Sequence, residues 1–157
     1  MSKEVKYLKS PLGLLKITVK HDKLKSIKYT DQTKKEYNKE IKSKAMEDTL
    51  IQFKQYFKGQ RKNFTVPFYL TGTDFQQDVY KALLEVDYGQ VITYKELAAA
   101  AGHDKAYQAV GTAMRNNRLP IIIPCHRVVK TDNSLGNYTG GKWRKEKLLQ
   151  IENSVFF

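Results

Sequence analysis

The chain has 157 residues, 41% of them hydrophobic, which suits one large globular domain or two small ones with proper cores. Its 28 basic and 16 acidic residues leave a formal charge of +12 and a pI near 9.6, a balance that points to an anionic partner such as nucleic acid or an acidic membrane surface. The single cysteine excludes an internal disulfide, the absence of a CxxC or Cys/His cluster argues against structural zinc, and a reducing cytoplasm fits both. Met1 to Leu8 is charged without an apolar core and no segment approaches bilayer length, so neither a signal peptide nor a membrane span is expected.

In chain order, Val5 to Tyr29 alternates as strands broken by turns at Ser10-Pro11-Leu12-Gly13 and His21-Asp22, an antiparallel sheet with lysines on its polar face. His21 has no metal partner nearby and is given no role. Asp31 to Lys44 is a polar, lysine-rich run that reads as a mobile connection. Ala45 to Lys58 is helical, with Leu50, Ile51, Phe53 and Phe57 on its apolar stripe and Gly59 as the stop. Asn63 to Phe68 reads as a last short strand, and Leu70-Thr71-Gly72 as a boundary, giving lobes at 1–71 and 72–157.

The second lobe opens on a capping box, Thr73 with Gln76, ahead of Phe75, Val79, Leu83 and Val86 at helical spacing. A second box, Thr93 with Glu96, starts a helix from Tyr94 to Ala101; Gly102-His103-Asp104 is a turn, and another helix runs from Lys105 to Arg115. Helix, tight glycine turn, helix is the helix-turn-helix order, although many helical hairpins never touch DNA. Small residues on the second helix (Ala106, Ala109, Gly111, Ala113) permit close approach to a partner. Asn137 to Gly141 is a glycine-rich loop without the Lys-Ser/Thr pair of a phosphate loop. Lys142 to Glu152 is a final helix carrying Trp143, Leu148, Leu149 and Ile151 inward.

Ile121 to Val129 surrounds the cysteine. A lone Cys between apolar residues is ordinarily a small buried hydrophobe. Here Pro124 turns the backbone where the thiol begins, and His126 and Arg127 supply hydrogen bonding and positive potential that favour thiolate, so Cys125 is a candidate nucleophile. In extended backbone the two neighbouring side chains would point to opposite faces, so any coupling of Cys125 to His126 needs a water or a bend.

Pro124-Cys125-His126-Arg127-Val128, Arg115-Asn116-Asn117, Thr93 to Ala98, Tyr138-Thr139-Gly140-Gly141 and Leu148 to Glu152 together resemble the O6-alkylguanine-DNA alkyltransferases over roughly Thr73 to Asn153. The first lobe resembles that family in its sheet-plus-helix layout. The resemblance implies an α+β fold: an N-terminal, ribonuclease-H-like antiparallel sheet with a helix, then a mainly helical, winged-helix-like lobe bearing the helix-turn-helix. It implies direct-reversal repair of double-stranded DNA, with Cys125 taking an alkyl group from guanine O6, and more weakly from thymine O4, in a single irreversible turnover by a cytoplasmic monomer that needs no metal or cofactor. His126 would act as base through a water, and Glu152 would orient it. Tyr94 would donate a hydrogen bond to the departing guanine, and Asn117 would hold the turn that leads to the cysteine. Met114, Tyr138, Thr139 and the backbone around Val128 would receive the flipped base, with Arg115 on the DNA side. Where the family places an arginine to fill the gap left by that base, this chain has Gln108, shorter and uncharged.

Two other classes compete on the residues alone. A DNA-binding regulator without chemistry would need only the helix-turn-helix and the charge. A cysteine hydrolase would use Cys125, His126 and an acid, and the adjacency of Cys and His argues against a direct dyad. Without the resemblance, Glu152, Tyr94 and Asn117 read as a surface charge, a helix-start aromatic and a helix-end cap.

Overall fold

The computed structural model describes residues 3–31, 40–132 and 134–154. The chain forms two compact units, Met1–Tyr69 and Leu70–Phe157.

In the first unit β1 (Lys3–Ser10), β2 (Gly13–Lys20) and β3 (Lys23–Thr30) form an antiparallel meander in which Leu8 lies opposite Leu15 and Ile17 opposite Ile27. The first turn closes through Ser10 Oγ, which accepts from Leu12 N at 3.1 Å and donates to Gly13 O at 2.7 Å. The second places His21 and Asp22 at φ 51° and 59°, left-handed backbone that matches the twist of a two-residue hairpin. Asp22 also serves the next element: its Oδ1 accepts from Ala45 N at 2.9 Å, at the start of α1 (Lys44–Phe57), whose N-cap is Ser43. This helix packs across all three strands and closes a core of Leu8, Leu15, Ile17, Val19, Leu24 and Ile27 with Met46, Phe53 and Tyr56.

The buried face of α1 differs from the stripe expected of it. Ala45, Met46, Thr49, Phe53 and Tyr56 are inward, and Ile51 is 46% exposed. This rotation stacks Phe53 and Tyr56 on Phe64, at centroid distances of 5.0 and 5.3 Å, and Thr49 satisfies its buried hydroxyl on Ala45 O at 2.6 Å. The strand expected over Asn63 to Phe68 is also absent. The segment makes one parallel bridge, between Phe68 and Leu24, and Pro67, having no N–H, cannot extend the ladder. The side chain of Gln52 holds it instead, bonding Thr65 N at 2.9 Å and Thr65 Oγ1 at 2.7 Å. Most of the expected polar connection, 32–39, lies outside the described residues, as does Asn133.

In the second unit both capping boxes are formed. Thr73 and Gln76 start α2 (Asp74–Leu84), which stops two residues short of Val86, and Thr93 and Glu96 start α3 (Tyr94–Ala100). After the turn at Gly102, φ 83°, α4 spans Tyr107–Arg115, two residues later than Lys105 because Ala106 N is used in a turn with His103 O. The three helices pack on one another. Two short strands, β4 (Ile92–Thr93) and β5 (Val128–Val129), pair in parallel and bring the residues after Cys125 beside the start of α3.

The last helix, α5 (Lys142–Ile151), buries Lys145, Leu148 and Leu149. Trp143, expected inward, is 53% exposed, with the Arg144 guanidinium 4.6 Å from its ring centroid. Two residues are about 200° of helix, so an inward Lys145 puts Trp143 on the far side. Among the described residues no helix is long and apolar enough to cross a membrane.

Candidate active site

The segment before the cysteine is a coil of turns, not the strand that its apolar run suggests. Ile121 has φ 77°, a strained value for a β-branched residue, and Ile123 N bonds back to Leu119 O at 2.9 Å. Pro124, at φ −80° and ψ 63°, forms an inverse γ-turn closed by Cys125 N to Ile123 O at 2.7 Å. Cys125–Arg127 is then one turn of 3₁₀ helix, so the backbone bends where the thiol and imidazole are attached, and the extended geometry that would separate them does not arise.

Asn117 organises this turn. Its Oδ1 accepts from Leu119 N at 2.9 Å, and its Nδ2 donates to Ile123 O at 2.9 Å and to Cys125 Sγ at 3.2 Å. The thiol is 5% exposed, and burial pushes it up to about 11, opposed by the Asn117 hydrogen bond and then by the positive charge of Lys145.

Behind the thiol lies a buried polar cluster. His126 Nε2 is 2.7 Å from Glu152 Oε2, and Arg127 grips the same carboxylate with Nε on Oε1 at 2.9 Å and Nη2 on Oε2 at 3.0 Å. The third arm of Arg127, Nη1, donates to Val86 O at 2.7 Å. Burial works to raise Glu152, but the charges and hydrogen bonds of His126 and Arg127 outweigh it and hold the carboxyl well below its usual range. Burial lowers His126 despite Glu152, so the resting imidazole is neutral; with Nε2–H committed to the carboxylate, Nδ1 carries the lone pair. That Nδ1 is buried and has no hydrogen-bond partner in the protein.

Arg127 is therefore neutralised by Glu152, and the positive potential expected from it at the thiol comes from Lys145 on α5. This side chain is fully buried and donates to the carbonyls of Val128 (2.5 Å), Leu135 and Asn137 (3.4 Å).

Cys125 opens onto a cavity of about 1240 Å³ in the second unit, lined also by Tyr94, Gln108, Met114, Arg115, Tyr138 and Thr139. Six of the expected substrate and DNA residues thus share one space with the thiol. His126, Glu152 and Asn117 stand behind it. Val128 is a correction: its side chain is fully buried and off the cavity, and its carbonyl is occupied by Lys145. Tyr94 is raised by burial and then by Cys125. Among the described residues no group of three His, Cys, Asp or Glu side chains could hold a metal ion.

Residues 5–70 match the 6-O-methylguanine DNA methyltransferase ribonuclease-like domain, and residues 74–154 match the 6-O-methylguanine DNA methyltransferase DNA binding domain. The chain belongs to the 6-O-methylguanine DNA methyltransferase family. It is 37% identical over 153 residues to a methylated-DNA--protein-cysteine methyltransferase of Methanosarcina barkeri, covering 94% of this chain and 95% of the relative. A constitutive methylated-DNA--protein-cysteine methyltransferase of Bacillus subtilis is 36% identical over 150 residues, covering 91% of each. Among solved structures, Mycobacterium tuberculosis OGT in complex with DNA superposes with a TM-score of 0.86 at 36% identity, over 96% of this chain and 92% of that one. The mixed fold, with a three-stranded antiparallel sheet followed by a helical unit, is that of this methyltransferase family.

Within the family frame, two residues of the cluster carry no obvious mark in the sequence. Lys145 is one of many lysines, and only its place three and four residues before Leu148 and Leu149 puts it on the buried stripe. Arg127 is legible as a neighbour of Cys125, whereas its grip on Glu152 depends on a contact across 25 residues.

Proposed function

We infer that this chain repairs O6-alkylguanine in double-stranded DNA by direct reversal, moving the alkyl group onto Cys125 in one irreversible turnover. One observation carries this reading: the only cysteine opens into the cavity while held by Asn117 at 3.2 Å, with a Glu152–His126 pair buried behind it. His126 Nδ1 takes the thiol proton through a bridging water, and Glu152 fixes the ring and balances the imidazolium that results. The thiolate attacks the alkyl carbon; the Sγ–C bond forms as the C–O6 bond breaks, and the guanine leaves with the electron pair. Tyr94 donates a hydrogen bond to the departing base. Thr139 donates towards O6, Met114 and Tyr138 enclose the ring, and Asn117 keeps the turn in place. Thymine O4 is the weaker substrate in the same reaction.

To reach the cavity the base must leave the duplex, at about a few kcal/mol. The second unit, 72–157, does this work with α4 against the minor groove, Arg115 on the backbone and Gln108 in the space left by the base, while 1–71 is structural. The protein works as a monomer without metal or cofactor, in the cytoplasm, where the thiol stays reduced. The test is intact-protein mass after incubation with duplex DNA bearing one O6-methylguanine. A gain of one methyl group on Cys125, absent in Cys125→Ser, is expected; lesion-selective binding without mass gain would make this a recognition protein with an idle cysteine.

A further inference from the structure

Lys145 is a fully buried lysine whose hydrogen bonds all go to neutral carbonyls: Val128 O of β5, and Leu135 O and Asn137 O of the loop that walls the cavity. Three N–H donors on three acceptors leave no lone pair, so the group sits here as an ammonium and cannot serve as a base. A desolvated charge is costly unless an anion compensates it, and no carboxylate pairs with Lys145 among the described residues. Its charged or titratable neighbours are Cys125, which attracts it, and Lys130, which repels it.

Seen from the thiol, the account is complementary. The titratable groups coupled to Cys125 are Tyr80 of α2, Tyr94 of α3 and Lys145 of α5, joined by the neutral amide of Asn117. The nearby Arg127 is spent on Glu152. Lys145 is therefore the uncompensated cation, and the thiolate the anion that this pocket lacks.

We propose that Lys145 is the counter-charge of the Cys125 thiolate, a positioning residue whose ammonium is fixed by three backbone carbonyls so that the anion forms beside it. The proposal rests on the reading of Cys125 as alkyl acceptor. The proton leaves Sγ for His126, the thiolate is balanced by Lys145, and on transfer the sulfur becomes a neutral thioether while the electron pair departs with the guanine. Lys145 thus acts on the nucleophile before the bond forms and touches no substrate atom. Its ties to Leu135 and Asn137 at the same time seat the loop that lines the cavity.

The experiment uses the full chain, in which Cys125 is the only thiol, and follows its carbamidomethylation by iodoacetamide from pH 6 to 11 by intact mass. Lys145→Gln keeps a neutral donor for the carbonyls and loses the charge; its rate is expected to fall about 10-fold near neutrality, recovering at high pH, with the profile moved up about one pH unit. Lys145→Arg, which keeps the charge, should move the profile less. A folded Lys145→Gln protein with an unmoved profile would overturn the proposal, since a purely structural lysine changes melting temperature and not thiol titration. Should the Gln protein not fold, the Lys145 ammonium is titrated by NMR in the unmodified protein and in Cys125→Ser. A higher titration point with the thiol present supports the pair, and identical curves defeat it. Methyl transfer from O6-methylguanine DNA is run in parallel: loss of transfer in the unmodified protein, with the iodoacetamide shift intact, would remove the transfer reading and leave the ion pair standing.

Discussion

The carboxylate of Glu152 meets His126 Nε2 at 2.7 Å, and that contact decides which imidazole nitrogen is free to take a proton. Because Arg127 holds the same carboxylate from the other side, the cluster is a three-residue unit with no exposed member. Glu152→Gln leaves one hydrogen bond to His126 but removes its charge and strands Arg127. We expect transfer to Cys125 to slow by about 10- to 100-fold, the usual effect of losing a carboxylate that orients a working histidine. Stability should drop by about 3–5 kcal/mol, as when one partner of a buried pair is removed. Single-turnover transfer rates and chemical denaturation check the two numbers separately, and an unchanged rate would mean that the ring needs no orientation.

The same cluster sets the acid limit of the fold. Burial holds folded His126 below its ordinary 6.5, so beneath that pH the unfolded chain binds a proton the folded chain refuses, and stability falls as pH drops through this range. Glu152, held below its ordinary 4.5 by His126 and Arg127 against burial, contributes stability that is present above 4.5 and lost as pH falls beneath it. Denaturation midpoints between pH 8 and 4 should decline in two stages, and His126→Gln should flatten the first. A midpoint constant from pH 7 to 5 would contradict the neutral, buried imidazole.

What could be read from the chain alone follows the range of the interactions. Thr73 with Gln76 and Thr93 with Glu96 are local, and both helix starts stand as read. Alternating strands and their turns are likewise local. The thiol's surroundings are not: Arg127 looks like its cation by adjacency, yet Glu152, far along the chain, takes that charge and Lys145 supplies another. Apolar composition also misleads near turns. Ile121 to Ile123 is β-branched and reads as strand, but Asn117 and Pro124 tie it into a coil at the cost of a positive φ at Ile121. Trp143 was expected inside for its size, and the burial of Lys145 two residues on turns it out.

Gly136 places the loop against Tyr94. It has φ 77°, and a Cβ there would lie 3.2 Å from Tyr94 Oη and 3.3 Å from Cε2. Gly136→Ala should therefore cost about 1–2 kcal/mol in backbone strain and push the phenol from its place in the cavity. If Tyr94 donates to the departing base, transfer slows as well, and the loss in Gly136→Ala/Tyr94→Phe is less than the sum of the single losses. Additive losses would show that the two act independently.

Gln108 is exposed on α4 and lines the cavity, at the position where family resemblance leads one to expect an arginine. Its amide can hydrogen-bond an orphaned cytosine, but it brings no charge to the phosphates and reaches less far. Gln108→Arg should tighten duplex binding at low salt; with one further phosphate contact, the slope of log affinity against log salt steepens by about 0.9. Reaction with free O6-benzylguanine, which needs no flipping, should stay nearly unchanged, because Gln108 is not part of the thiol, imidazole and carboxylate cluster. Titrations of duplex DNA over a salt series, beside the free-base rate, separate the outcomes. Equal gains on both substrates would place the arginine's effect in the chemistry, and a flat salt response in the unmodified protein would count against DNA as the partner.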